Sequence, residues 1–194
     1  MRSKLFVATL VIGILASPAL AVELVTNGGF ETGDLTGFTD SSDPASAFVS
    51  TTATHTGNFG YLNGMSGRDG VLAQTVATQL GMTYTYSFFL ENDGSTPNDV
   101  TVKLGNTVLL AQTDAGAFGY TNFTGKVVAD GNNDALTFAF RNDNGAFGLD
   151  DISLTSNAAP PPPPLPEPAV WALLVTGFGL TGLVTRRRSR IVSC

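Results

Sequence analysis

The sequence predicts an all-β protein, an antiparallel sandwich of short strands framed by an apolar run at each end. Three observations carry this. Residues 22–157 show period-2 alternation in several stretches and no convincing 3.6 period. Turn-forming clusters of Gly, Asn and Asp punctuate those stretches at short intervals. The same 136 residues hold 18 glycines and are rich in Thr, Phe and Val, a composition that suits pleated strands joined by tight turns.

The strands can be placed in order. "SAFVSTTAT" (46–54), "FGYLNG" (59–64) and "VLAQTV" (71–76) are short candidates. "TYTYSFFLE" (83–91) alternates before becoming apolar. "VTVKLGNTVLLAQT" (100–113) reads as a hairpin turning at Gly105-Asn106. "YTNFTGKVVA" (120–129), "ALTFAFRN" (135–142) and "FGLDDISLT" (147–155) complete about nine strands, the number and spacing of an antiparallel sandwich.

The two ends are different in kind. Arg2 and Lys4 precede a short apolar run, and Ala19-Leu20-Ala21 follows as a small-x-small site, so residues 1–21 read as a secretory signal peptide. Residues 169–185 carry no charge over 17 positions. At 1.5 Å per residue they reach ~25 Å, close to the ~30 Å hydrocarbon core, and read as a transmembrane helix. Arg186, Arg187, Arg188 and Arg190 follow at once; by the positive-inside rule they hold residues 186–194 in the cytoplasm as a basic tail. Residues 22–157 then face away from the cytoplasm. Residues 158–168 are proline-rich, a stiff spacer.

The run Pro166-Glu167-Pro168, then an apolar stretch, then an arginine cluster at the extreme C-terminus resembles the PEP-CTERM sorting signal of Gram-negative bacteria, catalogued also as the ice-binding protein C-terminal domain. That resemblance implies processing by an exosortase, transient anchoring in the inner membrane, release to the cell surface or outside, and an association with exopolysaccharide and biofilm. No internal repeat supports ice binding itself. The opening "NGGFETGDLTGF" (27–38) and the closing "FGLDDISL" (147–154) resemble the first and last strands of a jelly-roll sandwich of the galactose-binding or carbohydrate-binding-module type. This implies terminal strands lying side by side, often with a structural calcium.

Charge narrows the partners. The net charge of −6 hides a domain with 15 acidic and four basic residues, a net of −11 over 22–157. Such a surface repels nucleic acid. The one cysteine, Cys194, lies past the apolar run, so the domain has neither a disulfide nor a thiol nucleophile. His55 is the only histidine, with no companion set for zinc or catalysis. Glu31, Asp150 and Asp151 are the candidate ligands of a structural Ca²⁺ where the terminal strands meet. Strict alternation puts Asp150 on the face of Ile152 and Leu154, toward the core, where it needs calcium, Arg68 or Arg141 as a partner. Tyr61 and Tyr120 are the candidate glycan platforms, because the domain has no Trp and most of its phenylalanines belong in a core. The expected function is a non-catalytic exported surface or matrix protein that binds glycan; the alternative is a secreted polysaccharide hydrolase using a carboxylate pair.

Overall fold

The structure is a computed structural model, and it describes residues 21–156. The signal peptide, the proline spacer with Pro166–Pro168, the apolar run and the arginine tail lie outside the described residues.

Eleven strands form two antiparallel sheets. They are β1 (Val22–Glu23), β2 (Thr39–Asp40), β3 (Ala47–Ser50), β4 (Gly60–Asn63), β5 (Gly70–Thr75), β6 (Thr83–Asn92), β7 (Asn98–Leu104), β8 (Thr107–Thr113), β9 (Phe118–Val128), β10 (Ala135–Asn142) and β11 (Phe147–Ser156). The first sheet runs β3-β4-β11-β6-β9, with β1 also beside β11; the second runs β2-β5-β10-β7-β8. From β5 onward the chain passes repeatedly from one sheet to the other, as in a jelly roll. The expected hairpin is present: Gly105-Asn106 joins β7 to β8, and Gly105 has φ +56°, which a side chain would strain.

Alternation builds the core. Leu136, Phe138 and Phe140 of β10 point inward, as do Val100, Val102 and Leu104 of β7 and Phe88 and Leu90 of β6. Phe88 meets Phe138 edge to face at 5.4 Å, and Phe138 stacks on Phe140 at 6.3 Å. These offset geometries suit the ring quadrupoles.

The segment 27–38 is a chain of turns rather than the first strand expected there. The true first strand, β1, pairs Val22 with Ser156 and Glu23 with Thr155, so the first and last strands do lie side by side. Phe30 anchors the turns as a fully buried plug, 5.8 Å from the Tyr61 ring.

β11 departs from strict alternation. Asp150 pairs with Phe89, but the next pair is Ser153 with Ser87, so β11 carries one extra residue. Asp151 takes the left-handed conformation at φ +50°. Phe147 and Leu149 therefore face the core before this bulge, and Ile152 and Leu154 after it. Asp150 faces out beside Phe89, which corrects its expected placement with Ile152 and Leu154.

Phe138→Ala should cost about 3–5 kcal/mol of stability, the usual range for deleting a buried phenyl ring. Chemical denaturation of the two proteins measures it.

Candidate functional site on the outer face of the first sheet

The outer face is assembled from four adjacent strands. β11 contributes Gly148 and Asp150, β6 contributes Phe89 and Glu91, β4 contributes Leu62, and β9 contributes Tyr120. Gly148 pairs with Leu62 on one side and Glu91 on the other, so these three lie in one row. Phe48 of β3 continues it at the edge, 42% exposed.

The loop 53–59 between β3 and β4 folds over this face. His55 stacks on Phe89 with ring centroids 3.7 Å apart and planes 14° off parallel, and its ring lies 5.4 Å from that of Tyr120. Three carboxylates hold the loop. Asp150 accepts the N–H of His55 at 2.7 Å and of Thr56 at 3.1 Å. Asp151 meets His55 Nδ1 at 2.7 Å and accepts the Thr56 hydroxyl at 2.7 Å. Glu31 accepts the N–H of Asn58 at 2.8 Å and of Phe59 at 2.9 Å.

The three candidate calcium ligands thus all hold the same loop. A Cβ on Gly29 would lie 3.6 Å from Asp151 Oδ1, 3.8 Å from Asp150 Oδ1 and 3.9 Å from Glu31 Cγ. Among the described residues no Lys or Arg ion-pairs with any of them; Arg141 instead pairs with Asp143 at 2.6 Å. All the side-chain donors are oxygens, as a hard cation prefers. The oxygens as placed are already turned to loop donors, however, and among the described residues no three His, Cys, Asp or Glu side chains are set to grip one ion. Asp150 is fully buried, and burial pushes its carboxyl above the usual range against the pull of three N–H groups. The N–H groups of Phe59 and Asn58 hold Glu31 below it.

Beside this loop lies a cavity of about 220 Å³ lined by Leu62, Glu91, Asn92, Asp93, Ala146 and Gly148. Gly148 is its floor. A Cβ there would sit 2.5 Å from Glu91 Oε1 and 2.6 Å from the Tyr120 hydroxyl, so the tips of both side chains occupy the space that glycine leaves open. The Tyr120 hydroxyl is buried and has no partner in hydrogen-bond geometry. Burial raises the Glu91 carboxyl, with Tyr120 drawing it partly back. Burial and then the charge of Glu91 raise the Tyr120 phenol. The site therefore sets a carboxylate and a phenol hydroxyl side by side, next to an aromatic wall of Phe89 and His55.

Tyr120 is half-buried on the outer face, with its hydroxyl tucked against Glu91. Tyr61 is 0% exposed, and its hydroxyl donates to Asp40 at 2.6 Å, which corrects its reading as a glycan platform. Its alternation with Asn63 on a core-facing strand was the available signal. Phe89, Gly148 and the wall-forming role of His55 are site features that sequence reasoning missed.

No protein-family model matches the chain, and no curated protein matches it. Solved structures share the fold. A family 61 carbohydrate-binding module in complex with β-1,4-galactotriose aligns with TM-score 0.58 at 18% identity, over 70% of this chain and 99% of that one. A family 16 carbohydrate-binding module aligns at 0.53 and 18%, over 68% and 98%. The CBM22-1 xylan-binding domain of Paenibacillus barcinonensis Xyn10C aligns at 0.51 and 14%, over 74% and 100%. The domain is a jelly-roll β-sandwich of the kind seen in these modules.

The Glu31 hydrogen bonds predict a pH effect. Its folded pKa lies below the ordinary 4.5, so its contribution is present above that value and is lost as pH falls through the folded pKa. Glu31→Gln should flatten the loss of thermal stability on acidification below pH 4.5 and leave its slope near neutrality unchanged, as read by melting curves across pH.

Proposed function

We propose that the domain is a non-catalytic glycan-binding module of an exported surface or matrix protein, with its site at Glu91, Tyr120 and Gly148. The observation that carries this is the buried, unpartnered Tyr120 hydroxyl facing Glu91 over a glycine floor, next to a stacked aromatic pair. A pyranose ring has an apolar face for such a wall and hydroxyls that both donate and accept. The fold shared with carbohydrate-binding modules supports the reading, and fold alone does not fix a ligand.

The test is binding of soluble polysaccharides and a glycan array by the full chain. Tyr120→Ala and Glu91→Gln should each weaken binding by about 10-fold or more, the scale of a central contact. Gly148→Ala should do the same and also cost about 1–3 kcal/mol of stability, because its Cβ would crowd Glu91 Oε1 and Cγ and the Tyr120 hydroxyl. Tyr61→Phe should leave binding unchanged. Failure of every polysaccharide and glycan to bind would overturn the proposal.

A second reading, a polysaccharide hydrolase, draws on one observation. Glu91 and Asp93 line the same cavity with carboxyls displaced in opposite directions, Glu91 up and Asp93 down. An acid and a base of a glycosidase differ in this way. Asp93, though, accepts from Ser95 N, Asn142 Nδ2 and Ala146 N at 2.9–3.0 Å, so its oxygens are occupied in holding the loop. Release of reducing sugar that Glu91→Gln abolishes would establish the hydrolase instead.

The sorting part rests on the sequence. Export, exosortase processing near Pro166–Pro168 and delivery to the surface predict a mature protein lacking Arg186, Arg187, Arg188 and Arg190. Mass spectrometry of the surface form checks this; an intact C-terminus there would refute it. Calcium at Glu31, Asp150 and Asp151 belongs to the same proposal, supported by three carboxylates around one loop without a Lys or Arg. It predicts a melting temperature that falls in chelator, with that part of the response removed by Glu31→Gln.

A further inference from the structure

A different pair of carboxylates meets where the β7–β8 turn approaches the β9–β10 loop. That loop contains Asp130-Gly131-Asn132-Asn133-Asp134. Asp130 uses one oxygen, Oδ2, to accept the N–H of Asn106 at 2.9 Å. Its other oxygen stands over Gly105, where a Cβ would collide with it. Asp134 Oδ1 lies 3.2 Å from the same point, and a Cβ on Gly131 would collide with it too. The two carboxylates therefore approach the same small space over Gly105.

Asp134 is only 7% exposed, and its Oδ2 is buried with no hydrogen-bond partner among the described residues. A buried carboxylate oxygen left unpaired is costly. Shaping the loop does not explain it, because the loop is held by other groups. Asn133 N–H donates to Thr78 O at 3.1 Å, Asp134 N–H to the Thr78 hydroxyl at 2.8 Å, and Leu80 N–H to Asn132 Oδ1 at 3.0 Å. No Lys or Arg of the described residues pairs with either aspartate.

A cation bound to the Asp134 carboxylate beside Asp130 would supply the partner that its Oδ2 lacks. All the donors are oxygens, which favours a hard ion over zinc or copper. The spacing Asp-x-Asn-x-Asp matches the start of a calcium loop, with two departures: Ala135 follows where such loops have Gly, and the Asn132 amide oxygen is already used. Two carboxylates do not complete a coordination shell, so main-chain oxygens and water supply the rest.

We propose that Asp130 and Asp134 bind a divalent cation of the calcium class over Gly105, tying the β7–β8 hairpin to the β9–β10 loop. This site is separate from the one at Glu31 and has its own variants. The experiment is thermal unfolding of the full chain in chelator and in millimolar CaCl₂, with equilibrium dialysis counting bound Ca²⁺. Wild-type protein should melt several degrees higher in Ca²⁺. Asp134→Asn should melt at or above wild type in chelator, since it removes the buried charge, and below wild type in Ca²⁺. Asp130→Asn alters an exposed side chain and should bind one ion fewer per chain, so it carries the test where the Asp134 variant fails to fold. Glu31→Gln should retain the response that Asp130→Asn removes. An unchanged Ca²⁺ response and ion count in Asp130→Asn, or an Asp134→Asn defect of equal size with and without Ca²⁺, would overturn the proposal.

Discussion

The outer face of the first sheet depends on one extra residue in β11. The bulge at Asp151 turns Asp150 outward, while Leu149 and Ile152 on either side still reach the core. Without it, either the apolar residues after Asp150 or those before it would leave the interior, since a slip of one residue exchanges the faces of a strand. With it, a carboxylate is delivered to the sheet's outer face and accepts the N–H groups of His55 and Thr56. That contact lays the loop across the strands and sets His55 on Phe89. The aromatic wall of the candidate site is thus a consequence of strand register.

The same bulge joins the ends of the domain. Ile152 N–H donates to Gly28 O at 2.9 Å, and a Cβ on Gly28 would collide with Ile152 O. This close approach accounts for a glycine in "NGGF". It also brings Glu31 to the loop that Asp150 and Asp151 hold, so carboxylates from opposite ends of the domain secure a single strap. Their charge is met by main-chain N–H groups and by His55, a solution suited to a domain with four basic residues. Hydrogen bonds to a carboxylate favour its ionised form as an ion pair does.

The two acidic clusters differ in how fully they are satisfied. At the strap nearly every carboxylate oxygen has a donor. Beside Gly105 one oxygen of Asp134 has none. Above Gly148 the Tyr120 hydroxyl is buried beside Glu91. Polar capacity left over in a buried place marks where a ligand would gain most, because water is already excluded and the desolvation has been met on folding.

The strands were legible from sequence because they alternate. The stretch 135–142 has the bounds of β10, and 83–91 differs from β6 by one residue. Gly105-Asn106 announced its hairpin through turn chemistry. The bulge left a trace as well: Phe147, Leu149, Ile152 and Leu154 repeat at two, then three, then two, and the interval of three is the inserted residue. Sequence also indicated that the first and last strands would be neighbours, as β1 and β11 are. Which tyrosine faces outward, which loop covers the sheet, and that Gly148 would lie beneath Glu91 and Tyr120 were decided only by tertiary structure. Those facts depend on the pairing of β4, β6, β9 and β11, contacts between segments up to about a hundred residues apart. Local periodicity assigns a residue to one of two faces, and long-range register alone decides what stands beside it.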